Sequence, residues 1–203
     1  MTNIALFDFD GTITQSDTFT PFIYTVVNPK RLRWGKLVLL PYILGYKLGL
    51  LSGSVIRSKI FKFGFQGADA ALLRKAGLEY SQNDLPQVLR PNAMQQINWH
   101  LAQGDKIVVV SASMDVYLKP WCKLHGLDLI CSEIEENHGM LTGMYKHQDC
   151  SGIIKKNRIL EKYDLSDFEE VYVYGDTIED REMLSLGSKR FYQWQEVGND
   201  FFV

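Results

Sequence analysis

A short apolar run near the N-terminus, Ile4-Ala5-Leu6-Phe7, stops on two aspartates, Asp8 and Asp10. No other feature constrains the chain as much. Four apolar residues of this kind suit a strand buried on both faces, and successive strand side chains point to opposite sides. If the strand runs through residues 4–10, Leu6, Asp8 and Asp10 share one face and Phe7 and Phe9 the other. Carboxylates crowded at the end of a buried strand repel each other and lose hydration, so the fold must supply a cation or a proton. Gly11 permits a tight exit from the strand, and Thr12 adds a hydroxyl at the turn.

A chain of 203 residues can hold one domain with a large insertion, or two small domains, with a proper core. With 46% hydrophobic and 23% charged residues the composition is that of an ordinary soluble protein. The net charge of -2 offers no basic excess for nucleic acid, which is therefore not expected as a partner. Cys122, Cys131 and Cys150 are odd in number and form no CxxC, which points to reduced thiols and a cytoplasmic protein. The N-terminus lacks a basic region followed by a long apolar run, so no signal peptide is expected. His100, His125, His138 and His147 form no pair with metal-ligand spacing, so zinc is not indicated.

From about Thr14 to Arg90 long apolar and basic stretches are broken at Pro21, Pro29, Pro41 and Gly53, which predicts a mostly helical insert. Pro91-Asn92 opens a helix over Ala93 to Gln103, stopped by Gly104. Lys106 to Val110 is a strand covered on both faces and ending at Ser111. A helix over Val116 to His125 follows, capped by Gly126 and interrupted by Pro120, then a strand over Leu127 to Cys131. Glu133 to Tyr145 reads as a hairpin turning at His138-Gly139, and Ile153 to Tyr163 as a helix. Val171 to Tyr174 is a buried strand ending at Gly175-Asp176, Glu179 to Leu186 a short helix, and Arg190 to Trp194 a last strand. This alternation predicts an α/β fold: a Rossmann-like parallel sheet with helices on both faces. The core comprises residues 1–14 and 91–203, and residues 15–90 form the insert.

Three strands end in groups able to do chemistry: Asp8/Asp10, Ser111 and Asp176/Asp180. In open parallel sheets the ligand crevice lies beyond the carboxyl ends of the strands, so these distant residues can converge there. Lys155-Lys156, at the start of a helix, can supply the cation that offsets the carboxylates and holds an anion. The four elements, in order, resemble the motifs of the haloacid dehalogenase superfamily of phosphohydrolases. They are Asp8-Phe9-Asp10-Gly11-Thr12, Ser111 after Val108-Val109-Val110, Lys155 in Cys150-Ser151-Gly152-Ile153-Ile154-Lys155, and Gly175-Asp176-Thr177-Ile178-Glu179-Asp180. The helical insert resembles the type 1 cap of the phosphoserine-phosphatase-like subfamily, IB.

The resemblance implies a Mg²⁺-dependent phosphatase acting on a small phosphorylated metabolite. A phosphate monoester repels an anionic nucleophile, and a divalent metal between them cancels that repulsion. Asp8 and Asp176 would offer carboxylates and Asp10 its backbone carbonyl to Mg²⁺, which prefers hard oxygen ligands. Asp8 would attack phosphorus and form an aspartyl-phosphate, and Asp10 would protonate the leaving oxygen and then activate water. Ser111 and Lys155, with Thr12 at the turn, would bind the phosphoryl oxygens, and Asp180 would hold the lysine or a metal-bound water.

In the insert, Asp17 and Arg57 match places where phosphoserine phosphatases meet the substrate's amino group and carboxylate; Asp17-Thr18 equally suits a helix cap. Two departures weigh against phosphoserine. Ala112-Ser113 stands where those enzymes usually carry two glycines, and Glu179 where they usually carry asparagine. The stretch Trp34 to Leu51 is apolar, but its uncharged part, Leu37 to Tyr46, is too short to span a bilayer, so no transmembrane span is expected for the stretch. Packing within the cap, an apolar substrate pocket, contact with a partner subunit and contact with a membrane surface all fit it. Two rivals to a phosphatase remain: a phosphotransferase or mutase using the same intermediate, and a non-catalytic binding module acting through the cap.

Overall fold

The computed structural model describes residues 2–198. In chain order the elements begin with β1 (Ile4–Phe7). The helices α1 (Phe19–Val26), α2 (Pro29–Val38), α3 (Leu40–Lys47), α4 (Gly53–Phe65), α5 (Ala70–Asn83) and α6 (Leu85–Val88) follow. Then come α7 (Pro91–Gln103), β2 (Lys106–Met114), α8 (Asp115–His125) and β3 (Asp128–Ser132). A hairpin, β4 (Ile134–Asn137) and β5 (Met140–Tyr145), leads to α9 (Ile153–Lys162) and β6 (Val171–Gly175). The chain closes with α10 (Arg181–Leu184), β7 (Lys189–Tyr192) and β8 (Gln195–Glu196). The fold is α/β, a six-stranded sheet in the order β3-β2-β1-β6-β7-β8, parallel except for β7 against β8, with a helical insert after β1.

β1 lies between β2 and β6 and is buried throughout, which is why an unbroken apolar run suffices to build it. Ala5 and Phe7 face one core layer, with Ile97 of α7 and Leu118 and Trp121 of α8. Ile4 and Leu6 face the other, with Ile159 of α9 and Met183 and Leu184 of α10. Across the first layer an aromatic ladder links three strands: Phe7 stacks on Tyr174 at 4.2 Å, and Tyr174 on Phe191 at 4.7 Å. Between β1 and β6 the chain changes direction across the sheet, and the crevice at this switch point opens beyond the carboxyl ends of both strands.

Several expected boundaries move. β1 ends at Phe7 rather than at residue 10, and β2 does not stop at Ser111 but runs to Met114, with a register shift after Ser111. The expected helix over Glu179–Leu186 is a 3-10 turn, Ile178–Asp180, followed by one α turn. The last strand ends at Tyr192 and turns back as a hairpin. Residues 199–203, at the end of the expected core range, lie outside the described residues.

Backbone contacts at the neck, at the hairpin and at α5 help tie the insert to the core. At its neck Thr14 bridges Leu89, and the backbone bonds Gln15 N to Val88 O and Arg90 N to Ile13 O flank that bridge. The β4–β5 hairpin leaves the core sequence and reaches over to the insert, where Gly67 N donates to Leu141 O and Leu141 N to Ala68 O. Finally α5 presses on α8 at Gly77, where a Cβ would collide with the Val116 carbonyl. Pro120 has no N–H to bond that carbonyl, so the close approach meets an acceptor its own helix leaves free.

Candidate active site

Asp8 follows β1 directly in extended conformation, and its N–H donates to the Tyr174 carbonyl of β6 at 2.9 Å. Residues Phe9–Ile13 then form one wide turn in which Asp10 and Gly11 leave helical geometry. Gly11 has φ 84°, and a Cβ there would fall on the Asp176 carboxylate, so the turn requires glycine on both counts. Arg90 staples the turn from behind, its Nε donating to the carbonyls of Gly11 at 3.1 Å and Thr14 at 3.0 Å. The two aspartates therefore do not share a strand face, because the strand ends before either of them.

Asp8 looks toward α9. Lys155 Nζ donates to Asp8 Oδ1 at 2.5 Å and to Asp180 Oδ1 at 2.6 Å, and all three residues are buried. Burial alone would favour loss of the lysine's proton, but Asp180 and Asp8 outweigh it and raise its pKa above the ordinary value. Lys156 instead points outward to the Ser185 hydroxyl at 3.2 Å, so of the two lysines it is Lys155 that meets Asp8. Asp180 is itself locked: its Oδ2 accepts the N–H groups of Asp176 and Thr177, each at 3.1 Å. Burial, then the charge of Asp180, push the Asp8 carboxyl well above its usual range against the pull of Lys155.

Asp10 sits in a separate polar pocket. Its Oδ1 accepts the Thr18 N–H at 2.6 Å and the Thr18 hydroxyl at 2.5 Å, and its Oδ2 accepts the Ser113 hydroxyl at 2.5 Å. Burial raises its pKa, and the hydrogen bonds from Ser113 and Thr18 oppose that rise. Tyr117 and Tyr80 close the pocket: Thr18 Oγ1 lies 3.4 Å from the Tyr117 hydroxyl, and Tyr80 donates to the Thr18 carbonyl at 3.1 Å. Thr18 and Ser113 escaped the sequence reading as site residues. Ser113 carried a signal, since it lies two residues beyond Ser111 on the same strand; Thr18 carried none beyond its capping position.

The remaining expected site residues are placed as follows. Ser111 is buried on β2, and its Oγ accepts the Ser113 N–H at 3.0 Å. Thr12 is buried, with its hydroxyl 3.4 Å from Asp176 Oδ1 and its carbonyl receiving Trp194 Nε1 at 3.3 Å. Asp17 caps α1, accepting the N–H groups of Phe19 and Thr20, each at 3.1 Å. Arg57, on α4, spans from insert to core. It meets Asp149 through Nε at 2.9 Å and Nη2 at 2.8 Å, and Glu179 through Nη2 at 2.9 Å. Beside this cluster a groove of about 810 Å³ runs between α4, the hairpin and the start of α9, walled by Lys59, Tyr145, His147, Asp149 and Glu179. The Tyr145 hydroxyl is buried without a hydrogen-bond partner among the described residues.

Oxygens of Asp8, Asp176 and Asp180 lie within 4.8 Å of one another. The Asp176 carboxyl is pushed up to about 6, by burial first and then by Asp180. These crowded carboxylates, with Lys155 as their ammonium partner, are hard oxygen donors that could hold a divalent cation. The side chain of Asp10 is not in that cluster, being committed to Thr18 and Ser113; the ligand expected from Asp10 is its backbone carbonyl.

Residues 5–185 match the family described as haloacid dehalogenase-like hydrolase. The chain is 29% identical over 196 residues to Protein CicA of Caulobacter vibrioides (strain NA1000 / CB15N), covering 94% of this chain and 85% of that protein. It aligns with a protein of unknown function from Bordetella pertussis Tohama I at a TM-score of 0.77 and 21% identity, over 95% of this chain and 90% of that one. A substrate-bound phosphoserine phosphatase aligns at a TM-score of 0.64 and 17% identity, over 95% and 86% of the two chains. At these identities the structural likenesses speak to the fold.

Proposed function

Because the chain belongs to the haloacid dehalogenase-like hydrolase family, we propose that it is a Mg²⁺-dependent phosphatase of small phosphate monoesters working through an aspartyl-phosphate. The observation that carries the reading is the separation of two aspartates two residues apart, Asp8 buried against a charged lysine and Asp10 half-buried against hydroxyls. That separation suits one acid to nucleophilic attack and the other to proton transfer.

Asp8, Asp176 and Asp180 would hold the metal ion, with the Asp10 carbonyl as a further ligand. Bound there, Mg²⁺ supplies the positive charge that lets an anionic ester approach an anionic carboxylate. Asp8 Oδ attacks phosphorus as the bond to the leaving oxygen breaks, giving the acyl phosphate on Asp8. Asp10 gives its proton to the leaving alkoxide, and burial raises its pKa above the ordinary carboxylate value. Thr18 takes both lone pairs of Asp10 Oδ1 and Ser113 one of those on Oδ2, so Oδ2 keeps one for the transferred proton. Asp10 then takes a proton from the water that attacks the acyl phosphate, which restores Asp8 and releases phosphate. Lys155 stays protonated between Asp180 and the reacting oxygens, and with Ser111 and Thr12 it steadies the phosphoryl group. The organic part of the ester would occupy the groove beside Arg57, whose largely apolar walls carry the polar side chains of Lys59, His147 and Asp149.

The test is phosphate release from a broad ester panel in the presence of Mg²⁺. Turnover should vanish with a chelator and return with added metal. Asp10→Asn should slow hydrolysis of the intermediate, leaving label from a ³²P ester on the protein. If the wild-type protein transfers phosphate to an added alcohol in preference to water, the phosphotransferase reading replaces this one; silence across the panel favours a binding module.

A further inference from the structure

The chain has twenty-two basic and twenty-four acidic residues, yet no Asp or Glu falls between residues 18 and 68, where eight Lys and Arg lie. The remaining fourteen basic and all twenty-four acidic residues lie elsewhere, so the small net charge hides a strongly basic segment. That segment contains α2 and α3, where the apolar residues are also unusually exposed. No residue of α3 is buried, and on α2 only Gly35 is. Trp34 is 66% exposed, Leu37 67%, Leu48 72% and Leu50 75%, with Leu44 and Tyr46 half exposed beside them. Leu39 is buried in the cap, but packing there, one of the roles open to the stretch Trp34 to Leu51, does not describe these exposed side chains.

The basic groups share that surface. Among the described residues, Lys30, Arg33 and Lys47 have no carboxylate partner, in contrast to Arg57 of the same segment. Lys36 and Lys59 stand over the rings of Tyr24 and Tyr42, each at 5.2 Å. Long basic side chains that ring an apolar patch can bury their stems and keep their charges at a polar boundary. A soluble protein partner would need a matching acidic and apolar face, and a second copy of this chain would bring like charges together. A bilayer with anionic headgroups supplies both the negative surface and the apolar boundary. Among the described residues no helix is long and apolar enough to cross a membrane, so contact would be along its surface.

We propose that α2 and α3 form a surface by which the protein docks on an anionic lipid bilayer. The apolar residues enter the headgroup boundary, and the unpaired lysines and arginines meet the lipid phosphates. The proposal does not rest on the phosphatase reading, because vesicle binding is measured without turnover.

The purified full chain is floated with phosphatidylcholine vesicles with or without phosphatidylglycerol. Binding should be about tenfold tighter or more on the anionic vesicles and should weaken as salt rises. The triple variant Lys30→Glu/Arg33→Glu/Lys47→Glu should lose it, and so should Leu44→Glu/Leu48→Glu. All five positions are exposed, so both variants should keep the far-ultraviolet circular dichroism and soluble-ester turnover of the wild type. Equal binding to neutral and anionic vesicles, no binding to either, or a triple variant that binds like the wild type would each overturn the proposal. So would a concentration-dependent dimer, broken by Leu44→Glu, in a protein that ignores vesicles, because the face would then belong to a second copy.

Discussion

At the carboxyl end of the sheet Asp8, Asp176 and Asp180 crowd within 4.8 Å of one another around the buried Lys155, whereas on α2 and α3 Lys30, Arg33 and Lys47 stand in solvent beside bare leucines. Burial is what separates the two regions. A buried charge must find a partner at hydrogen-bond distance, so each group in the core site is oriented by its neighbours. An exposed charge has water, and its position is set by little except the helix that carries it. The core site is thus a matter of geometry, and the outer cap a matter of composition. Arg57 belongs to both regions: it starts in the basic segment and ends on two acids of the core, Asp149 and Glu179.

The contrast breaks most visibly at Asp8. Asp8→Asn keeps the shape and removes the nucleophile, and turnover should fall by about 10⁴-fold or more, roughly 5.5 kcal/mol of barrier. The same change removes one of several crowded carboxylates, so the metal-free variant should melt no lower than the wild type. A variant that unfolds instead would mean that the Asp8–Lys155 pair is structural. Lys155→Met is the converse, since it leaves Asp8 and Asp180 facing each other without their cation. We expect a loss of about 3–5 kcal/mol of stability by urea titration, where Lys47→Met in the exposed segment should cost less than about 0.5 kcal/mol.

Arg57 sharpens the comparison at the border. If it clasps the insert to the core, Arg57→Ala should cost about 1–2 kcal/mol of stability. Glu179→Gln should cost less in the same direction, and the double mutant should show a coupling of roughly 0.5 kcal/mol or more. If the arginine serves a substrate carboxylate instead, Arg57→Ala should raise KM with little loss of stability. Glu179→Gln would then free the guanidinium and lower KM. Steady-state kinetics and denaturant melts of the three variants separate the two.

The same distinction decides what the sequence could tell. β1, β2 and β6 were legible because a strand buried on both faces must be an apolar, often β-branched run, and such runs are visible residue by residue. The groups at or near their ends were legible for the same reason. The environment of Asp10 was not, because it depends on the strand stopping at Phe7 and on a turn that aims the carboxylate at Thr18 and Ser113. Nor was the engagement of Arg57, whose partners lie 92 and 122 residues away in the chain. The exposed apolar face of α2 and α3 shows a third kind of failure. Hydrophobicity alone does not say whether a side chain meets the core or the solvent. The telling signal was the absence of acids over residues 18–68, which whole-chain charge conceals.

The smallest expected effect lies wholly within the core, at a joint that the insert does not touch. His100 is fully buried on α7, with Nδ1 2.7 Å from Asp105 Oδ2 and Nε2 3.0 Å from the Tyr174 hydroxyl. Asp105 only accepts, so the ring carries its proton on Nδ1 and takes the Tyr174 hydroxyl on Nε2. Burial lowers the His100 pKa although Asp105 pulls the other way. A histidine whose folded pKa lies below its unfolded value of about 6.5 binds fewer protons when folded. Its contribution to stability is therefore whole above that value and declines as pH falls below it, until the folded pKa is reached. The slope cannot exceed about 1.4 kcal/mol per pH unit for one proton. Urea melts of wild type and His100→Gln between mildly alkaline and mildly acidic pH isolate this term from other titrating groups. The stability difference between the two proteins should shrink as the solution is acidified through the histidine range. A difference that grows instead would mean that Asp105 holds the imidazole charged in the fold, and that the core pairs a buried cation here as it does at Lys155.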